Sequence, residues 1–405
     1  MSTVQIQEEK ANSTYYRIVF ISILGALMAF TSLSTDIYLP AMPKMAEELH
    51  GDAELTVTGF LIGFAIAQLI WGPISDHIGR RKPLFIGMLV FVVGSVGCAM
   101  AQSIEQIVFW RVFQAFGACT GPMLSRAMIR DLYTRTRAAQ MLSTLVMVMA
   151  IAPIAGPLLG GQIIRFSSWH AIFWLLAVIG LLMFLSIFKL PETLPAKAIS
   201  GENRSPASIM SALRNYIALM KNREFMRYTL CVTFYYTSAY GFIIGSPFVY
   251  INYYGVDYQY YGYLFACNIV GVITMSYFNR FLLDRFSMDL LLRLSTGLSC
   301  LSMLALAGAV YSGVASLPVM IITIFIFFAL NGIIAATATA AALDEVKTAG
   351  SASALIGSLQ YGSGIISSLL LTFFRDGTPW PMAWIMALFT LASLAVLLLG
   401  RQQAG

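Results

Sequence analysis

Residues 294–343 read LSTGLSCLSMLALAGAVYSGVASLPVMIITIFIFFALNGIIAATATAAAL, and no charged side chain occurs between Arg293 and Asp344. One bilayer crossing takes about 20 predominantly apolar helical residues, so this stretch crosses at least twice. Working outward, the rest of the 405-residue chain has the same character, with 58% hydrophobic and 11% charged residues. Soluble domains carry roughly a quarter charged residues. Too few charges are present to cover a water-soluble body of this size, which excludes a peripheral enzyme, a DNA-binding domain or a secreted scaffold despite a net charge of +6.

Uncharged runs bounded by charge, Gly or Pro predict twelve helical spans. The first six cover 17–39, 55–75, 83–101, 107–130, 138–164 and 168–190. Residues 191–224 are polar, with Pro195, Gly201 and Pro206, and read as a linker with a short surface helix near 206–222. Six more spans follow at 226–252, 258–282, 290–311, 317–342, 350–373 and 380–400. The expected class is an all-α integral membrane protein of two pseudo-symmetric six-helix bundles, 1–190 and 225–405, joined by a cytoplasmic linker 191–224. Short outward loops hold Lys44, Arg165 and Arg375, Arg111 and Arg126 fall within a span, and the other twenty of the 25 Lys and Arg lie on the opposite face. By the positive-inside rule both termini and the linker are cytoplasmic. The polar N-terminus precedes an apolar run too long for a signal peptide's core, so the first segment is expected to remain as an anchor.

The halves look related. Asp76 and Asp284 follow the second and eighth spans, and Pro40 and Pro247 sit near the ends of the first and seventh. Six plus six spans around a polar linker is a parallel-repeat transporter layout with the binding site between halves. Cys98, Cys119, Cys231, Cys267 and Cys300 lie in apolar stretches without CxxC spacing and read as small core residues. His50, His77 and His170 are far apart, which argues against a metal site, and the sequence contains no GxxxxGK[ST] phosphate loop.

After the second span comes Gly72-Pro73-Ile74-Ser75-Asp76-His77-Ile78-Gly79-Arg80-Arg81-Lys82. This resembles the GxLxDRxGRR signature of the major facilitator superfamily. Glycines permit a tight turn, and a carboxylate pairs with arginines or sits at a helix N-terminus. Gly72, Asp76, Gly79, Arg80 and Arg81 are therefore expected to form a conformational latch. His77 replaces the family's usual Arg, which makes that contact weaker or pH-sensitive. Ala152-Pro153-Ile154-Ala155-Gly156-Pro157-Leu158-Leu159-Gly160-Gly161 is similar to the GxxxGPxxGG motif of the superfamily's antiporters. Pro153 and Pro157 kink the segment, and Gly156 and Gly160 admit a neighbouring helix. Arg111-Val112-Phe113-Gln114-Ala115 is similar to the family's RxxQG, with Ala for the last Gly. Pro191-Glu192-Thr193 matches a common superfamily ending and is read as decoration.

Thr35-Asp36-Ile37-Tyr38-Leu39-Pro40 resembles the (T/N)D-x-Y-x-P region of the Bcr/CflA branch, the bicyclomycin and chloramphenicol/florfenicol exporters. Asp36 is the one acid placed inside a continuous apolar helix. In drug:proton antiporters of this type the matching acid exchanges the proton and meets the drug. A buried arginine needs a partner. Counted inward at ~1.5 Å per residue, Arg111 and Asp36 share the outer half of the membrane. The superfamily's packing puts the first and fourth helices side by side, so Arg111 is expected to act on Asp36 directly or through water. Burial disfavours a carboxylate's charge and a guanidinium favours it, so changing exposure switches proton affinity. The second acid that some relatives carry earlier in the first helix is replaced here by Met28, Phe30 and other neutral residues.

Arg126 faces either the central cavity or the cytoplasmic rim, where it would snorkel. A cavity position favours neutral polar or anionic drugs over permanent cations. Arg130 and Asp131 read as rim residues. Tyr236 and Tyr240 are i, i+4 neighbours deep in a helix, suited to a broad-specificity wall, whereas the tyrosines near 250–263 fit an interfacial aromatic belt. Asn268, Asn331 and Gln360 are buried polar candidates that either meet substrate or hold helices together. The expected substrate site comprises Asp36, Thr35, Tyr38, Arg126, Tyr236, Tyr240, Asn268 and Gln360.

The resemblance implies a monomeric drug:proton antiporter of the bacterial inner membrane that exports small, moderately polar antibiotics of phenicol or bicyclomycin type. It would need no cofactor or metal, no catalysis and no nucleic-acid partner, only drug, protons and the bilayer. The alternatives are a proton-coupled transporter of a sugar, nucleoside or amino acid, and a non-transporting receptor or assembly platform.

Overall fold

Prolines set where several helices stop. A proline gives no N–H to the carbonyl four residues earlier, and its ring crowds that turn. The computed structural model describes residues 14–133, 135–194, 209–346 and 349–399. In it three helices end four residues before a proline: α1 (Thr14–Asp36) before Pro40, α5 (Ile104–Ala118) before Pro122, and α7 (Arg135–Met149) before Pro153. Each span then resumes. A 3-10 turn, Leu39–Ala41, leads from α1 into α2 (Met42–Leu49), α5 continues as α6 (Thr120–Leu132), and α7 continues as α8 (Ala152–Phe166). The continuous helices expected over 17–39, 107–130 and 138–164 are thus interrupted. Asp36, expected inside a helix, is the last residue of one.

The first six spans are completed by α3 (Glu54–Ile78), α4 (Arg81–Ala99) and α9 (Trp169–Ser186). The linker contributes α10 (Ile209–Lys221), close to the surface helix expected there. Then come α11 (Arg223–Pro247) with a π-helical extension Phe248–Tyr253, α12 (Tyr258–Leu283), α13 (Met288–Tyr311), α14 (Leu317–Asp344), α15 (Ala349–Phe373) and α16 (Trp380–Leu399). The fold is all-α with twelve spans in two six-helix bundles. The polar N-terminal residues, 195–208 of the expected linker and 400–405 lie outside the described residues.

Among the described residues, ten helical stretches are long and apolar enough to cross a bilayer. The two that fall short are the fourth span, α5 with α6, and the seventh, α11. Those two carry Arg111 and Arg126, and Tyr236 and Tyr240, so the polar groups are concentrated where burial inside the protein rather than lipid must accommodate them.

Within the first bundle α1 packs on α5 and α6. Thr31 Oγ1 donates to the Ala118 carbonyl at 2.9 Å, the very acceptor that Pro122 leaves unanswered, and Ser125 Oγ donates to the Leu24 carbonyl at 3.3 Å. The bundles meet along two seams, α3 with α15 and α8 with α12. On the first, Ser358 Oγ donates to the Ala65 carbonyl at 3.1 Å and Thr58 Oγ1 to Ser368 Oγ at 2.5 Å. On the second, a Cβ on Gly262 would lie 2.7 Å from Leu158 backbone atoms, and one on Gly161 would lie 2.5 Å from the Tyr258 carbonyl oxygen. At the end away from the linker, the far face, Arg165 donates to Gln259 at 2.5 Å and Arg375 pairs with Asp52 at 3.2 Å. These contacts shut the far face, whereas a cleft between the bundles reaches the linker face.

Candidate functional site

At the closed end of the cleft the interrupted first span exposes backbone to its neighbours. Arg111, on α5, is fully buried. Its Nη1 donates to the Ser34 carbonyl at 3.1 Å and to Gln114 Oε1 at 2.6 Å, and its Nε reaches the Thr56 carbonyl at 3.5 Å. The guanidinium lies between the rings of Tyr38 and Phe60, 4.3 Å from each centroid, an arrangement that stabilises a desolvated cation. Gln114 is fixed in turn by donating to Ser95 Oγ at 2.8 Å. Arg111 therefore grips the end of α1 through a carbonyl two residues before Asp36 and acts on the carboxylate electrostatically.

Asp36 is 8% exposed. The neighbouring Thr35 Oγ1 donates to the Ser32 carbonyl at 2.8 Å. The glycines of α8 close over Asp36. A Cβ on Gly156 would lie 3.2 Å from the Asp36 Cβ, and one on Gly160 would overlap the Ile37 carbonyl oxygen. Pro153 starts α8 and Pro157 lies inside it. The GPxxGG stretch is thus a lid on the acid-bearing end of α1, as well as one side of the α8–α12 seam.

Below this, toward the linker face, is a cavity of about 810 Å³, within the roughly 300–1,000 Å³ of small-molecule sites. Arg126, Tyr236, Tyr240 and Gln360 line it, as does Gly72 of the expected latch. Arg126 faces the cavity and has no hydrogen bond or ion pair among the described residues, a guanidinium available to a ligand. Thr35, Tyr38, Asn268 and Asp36 itself do not line the cavity. Tyr38 is packed against Arg111, and Asn268 donates to the Leu264 carbonyl at 3.3 Å. Tyr240 and Tyr361 line the cavity and are both within electrostatic reach of Asp36, with the Tyr361 ring 4.0 Å from that of Phe64 across the α3–α15 seam. Tyr361 was not singled out from sequence. The i, i+1 neighbour of Gln360 was its only signal. Of the tyrosines assigned to an interfacial belt, Tyr250 and Tyr261 are buried while Tyr253, Tyr260 and Tyr263 are exposed. Four cysteines are buried as expected, but Cys267 is exposed.

Asp131 of the first bundle and Glu192 and Thr193 at the start of the linker hold the loop after α3. Arg80 Nη1 pairs with Asp76 at 2.6 Å and donates to Ser75 Oγ at 2.8 Å, and its Nε pairs with Asp131 at 2.9 Å. Burial works against this cation, but the bonds to Asp131 and Asp76 outweigh it and push Arg80 above the ordinary arginine value. Glu192 accepts from the backbone N–H of Arg80 at 2.8 Å and of Arg81 at 3.0 Å, capping the start of α4. Thr193 Oγ1 donates to Asp131 at 3.2 Å, and Arg81 donates to the Phe188 carbonyl at 3.0 Å. Gly79 has φ +93°, and a Cβ there would lie 2.5 Å from Glu192 Oε2. Two expectations are corrected: the Pro191-Glu192-Thr193 ending is an anchor rather than decoration, and Asp131 is a partner of Arg80 rather than a plain rim residue.

Comparison with known proteins gives a consistent result. The family described as Major Facilitator Superfamily matches residues 24–368. The chain is 36% identical to the "Uncharacterized MFS-type transporter YdgK" of Bacillus subtilis, covering 96% of this chain and 97% of that one. It is 31% identical to a "Bicyclomycin resistance protein homolog" of Haemophilus influenzae over 91% and 92% of the two chains. A "Chloramphenicol resistance protein" of Pseudomonas aeruginosa is 28% identical over 92% of this chain and 88% of its own. In fold, the chain superposes on the partially occluded inward-open xylose transporter XylE from E. coli with a TM-score of 0.73 at 14% identity, covering 96% and 99% of the two chains.

Proposed function

We propose that this chain, which belongs to the major facilitator superfamily and its Bcr/CflA drug-transporter branch, exports small, moderately polar antibiotics of phenicol or bicyclomycin type in exchange for protons. The observation that carries this reading is the pairing of a drug-sized cavity with a buried carboxylate just beyond its closed end. In this reading the linker face and both termini lie in the cytoplasm of a bacterium, and the molecule is a monomer in the inner membrane that is open inward. Drug enters from the linker side and meets Arg126, Tyr236, Tyr240 and Gln360. Asp36 carries the proton. Arg111 holds the end of α1 in place and supplies a fixed positive charge that opposes neutralisation of the acid.

Exchange follows from alternating exposure. When the bundles 1–190 and 225–405 rock about the cavity, Asp36 meets far-side water and takes a proton, and the cavity gives up drug. After the return swing it loses the proton toward the linker side. Each charge carried inward through 100 mV contributes about 2.3 kcal/mol, so no nucleotide is needed. Arg80, Asp76, Asp131 and Glu192 keep the linker-face loop of the first bundle rigid through the swing. The test is drug-induced proton flux in liposomes holding the purified protein, with and without Asp36→Asn. Flux with a phenicol or a bicyclomycin-type compound supports this reading. Flux driven solely by a sugar, nucleoside or amino acid replaces it with metabolite transport.

A further inference from the structure

A second enclosed carboxylate lies on the α3–α15 seam at the far face. Glu54, the first residue of α3, is 4% exposed, less than Asp36 at 8%. Its carbonyl accepts from Ser368 Oγ at 2.8 Å, but its Oε2 has no hydrogen-bond donor among the described residues. It faces a cavity of about 80 Å³, enough for a few waters, walled on the other side by Phe248, Leu371, Arg375 and Asp376 of the second bundle. The closest cation is Arg375, whose Nη1 is 4.0 Å from Oε2. That guanidinium is already engaged with Asp52 at 3.2 Å and lies over the Phe248 ring.

The titratable and charged groups around Glu54 are Asp52 from its own loop, Arg375 and Asp376 from the loop after α15, and Tyr253 from the π-helical segment. Asp52 and Glu54 thus share one guanidinium, and Asp376 lines the same cavity. Enclosing an anion with an unanswered oxygen is far costlier than enclosing the neutral acid. The enclosure itself depends on α3 and α15 being together. Parting them at the far face gives Glu54 water.

We propose that Glu54 is a second proton-binding residue, loaded from the far side, and that its proton allows the far end of the cleft to close. This deepens the exchange reading above and rests on its alternation between two openings. On closing, the carboxylate takes one proton from far-side water and is buried as a neutral acid. On opening, it returns that proton to the same side. No proton crosses the membrane by this route, so the drug:proton ratio set at Asp36 is unchanged, while closure becomes dependent on far-side pH.

The test uses full-length protein in liposomes with Asp36→Asn, so that the pH response measured is not that of Asp36, and with Cys267→Ser to remove the exposed native thiol. Spin labels at Gln102→Cys and Val314→Cys report the distance between bundles at the far face. Raising the pH should increase the open:closed ratio by up to about tenfold per unit, the limit for one linked proton. Glu54→Gln should hold the far end closed at every pH, and Glu54→Asp should keep the response. If Glu54→Gln instead opens the far end at low pH, the group is an ionised clamp to Arg375 and the proposal is overturned. A pH response that survives Glu54→Gln overturns it too, as does closure at high pH by added sodium, which would assign the cavity to a metal cation. The readout needs no drug, so it stands apart from the export assay.

Discussion

The two bundles cross the membrane six times each with different backbones. In the first, three spans are interrupted ahead of Pro40, Pro122 and Pro153, while in the second, α12 to α16 run 20 to 28 residues each without a break. An interrupted helix leaves carbonyls without their usual partners, and the first bundle uses them: Ala118 accepts from Thr31, and Ser34 accepts from Arg111. The charged machinery collects there, in Asp36, Arg111, Arg126 and the Arg80 cluster. The second bundle offers phenols and an amide from intact helices. On the proposed reading, proton exchange belongs to the broken half and shape recognition to the continuous one.

The strongest way to break that contrast is Asp36→Asn. Drug-induced proton flux should fall to the level of protein-free liposomes while the protein remains inserted, and normal uphill transport would remove the first bundle's claim to coupling. Next in size is Gly160→Val on α8. Its side chain meets the Ile37 carbonyl, which cannot move aside as a flexible side chain would, so a loss of about 1–3 kcal/mol should appear in thermal unfolding, together with loss of export. Gly297→Ala on α13, where a Cβ meets nothing within 4 Å, should instead be neutral or stabilise by about 0.5–1 kcal/mol. Equal melting curves for the two variants would erase the difference between bundles.

Arg80→Ala removes charge-assisted bonds to Asp76 and Asp131, each class of bond worth about 1.5–3 kcal/mol. Unfolding should shift accordingly, and Arg80→Lys should not restore it, because one ammonium does not reproduce the planar fork. Within the cavity, Arg126→Ala should weaken binding of an anionic test compound on the order of tenfold, the worth of one charged hydrogen bond. Tyr240→Phe in the second bundle should cost about fivefold or less, near 1 kcal/mol. Titration calorimetry would sharpen the comparison by ranking the two. Retained binding by Arg126→Ala would take the charge-reading role away from it.

Much of this was legible beforehand, for identifiable reasons. Lack of charge over 294–343 follows directly from the cost of ions in hydrocarbon, so the spans can be counted from composition. Pro40, Pro122 and Pro153 were visible too, and the four-residue offset to the lost carbonyl matches all three breaks, whereas Pro157 and Pro247 lie inside helices with no break four residues earlier. Glu192 and Glu54 were not recoverable this way. Glu192 matters because it reaches Arg81, 111 residues away, and Glu54 because Ser368, 314 positions on, meets its carbonyl. Glu54 has no local pattern that distinguishes it from an ordinary loop acid, and the Pro191-Glu192-Thr193 pattern around Glu192 does not say what the acid touches.

The amino-acid order by itself determined that the chain lives in a membrane, how many times it crosses, and that Asp36 and Arg111 lie in apolar stretches, because hydropathy acts over a few neighbouring residues. Only the tertiary structure decided that Arg126 faces the cavity while Asp36 does not line it, that the far face is shut, and that Glu54 is enclosed. Exposure and pairing are set by what packs opposite, and in two bundles joined by a linker the opposite wall is supplied by residues hundreds of positions away.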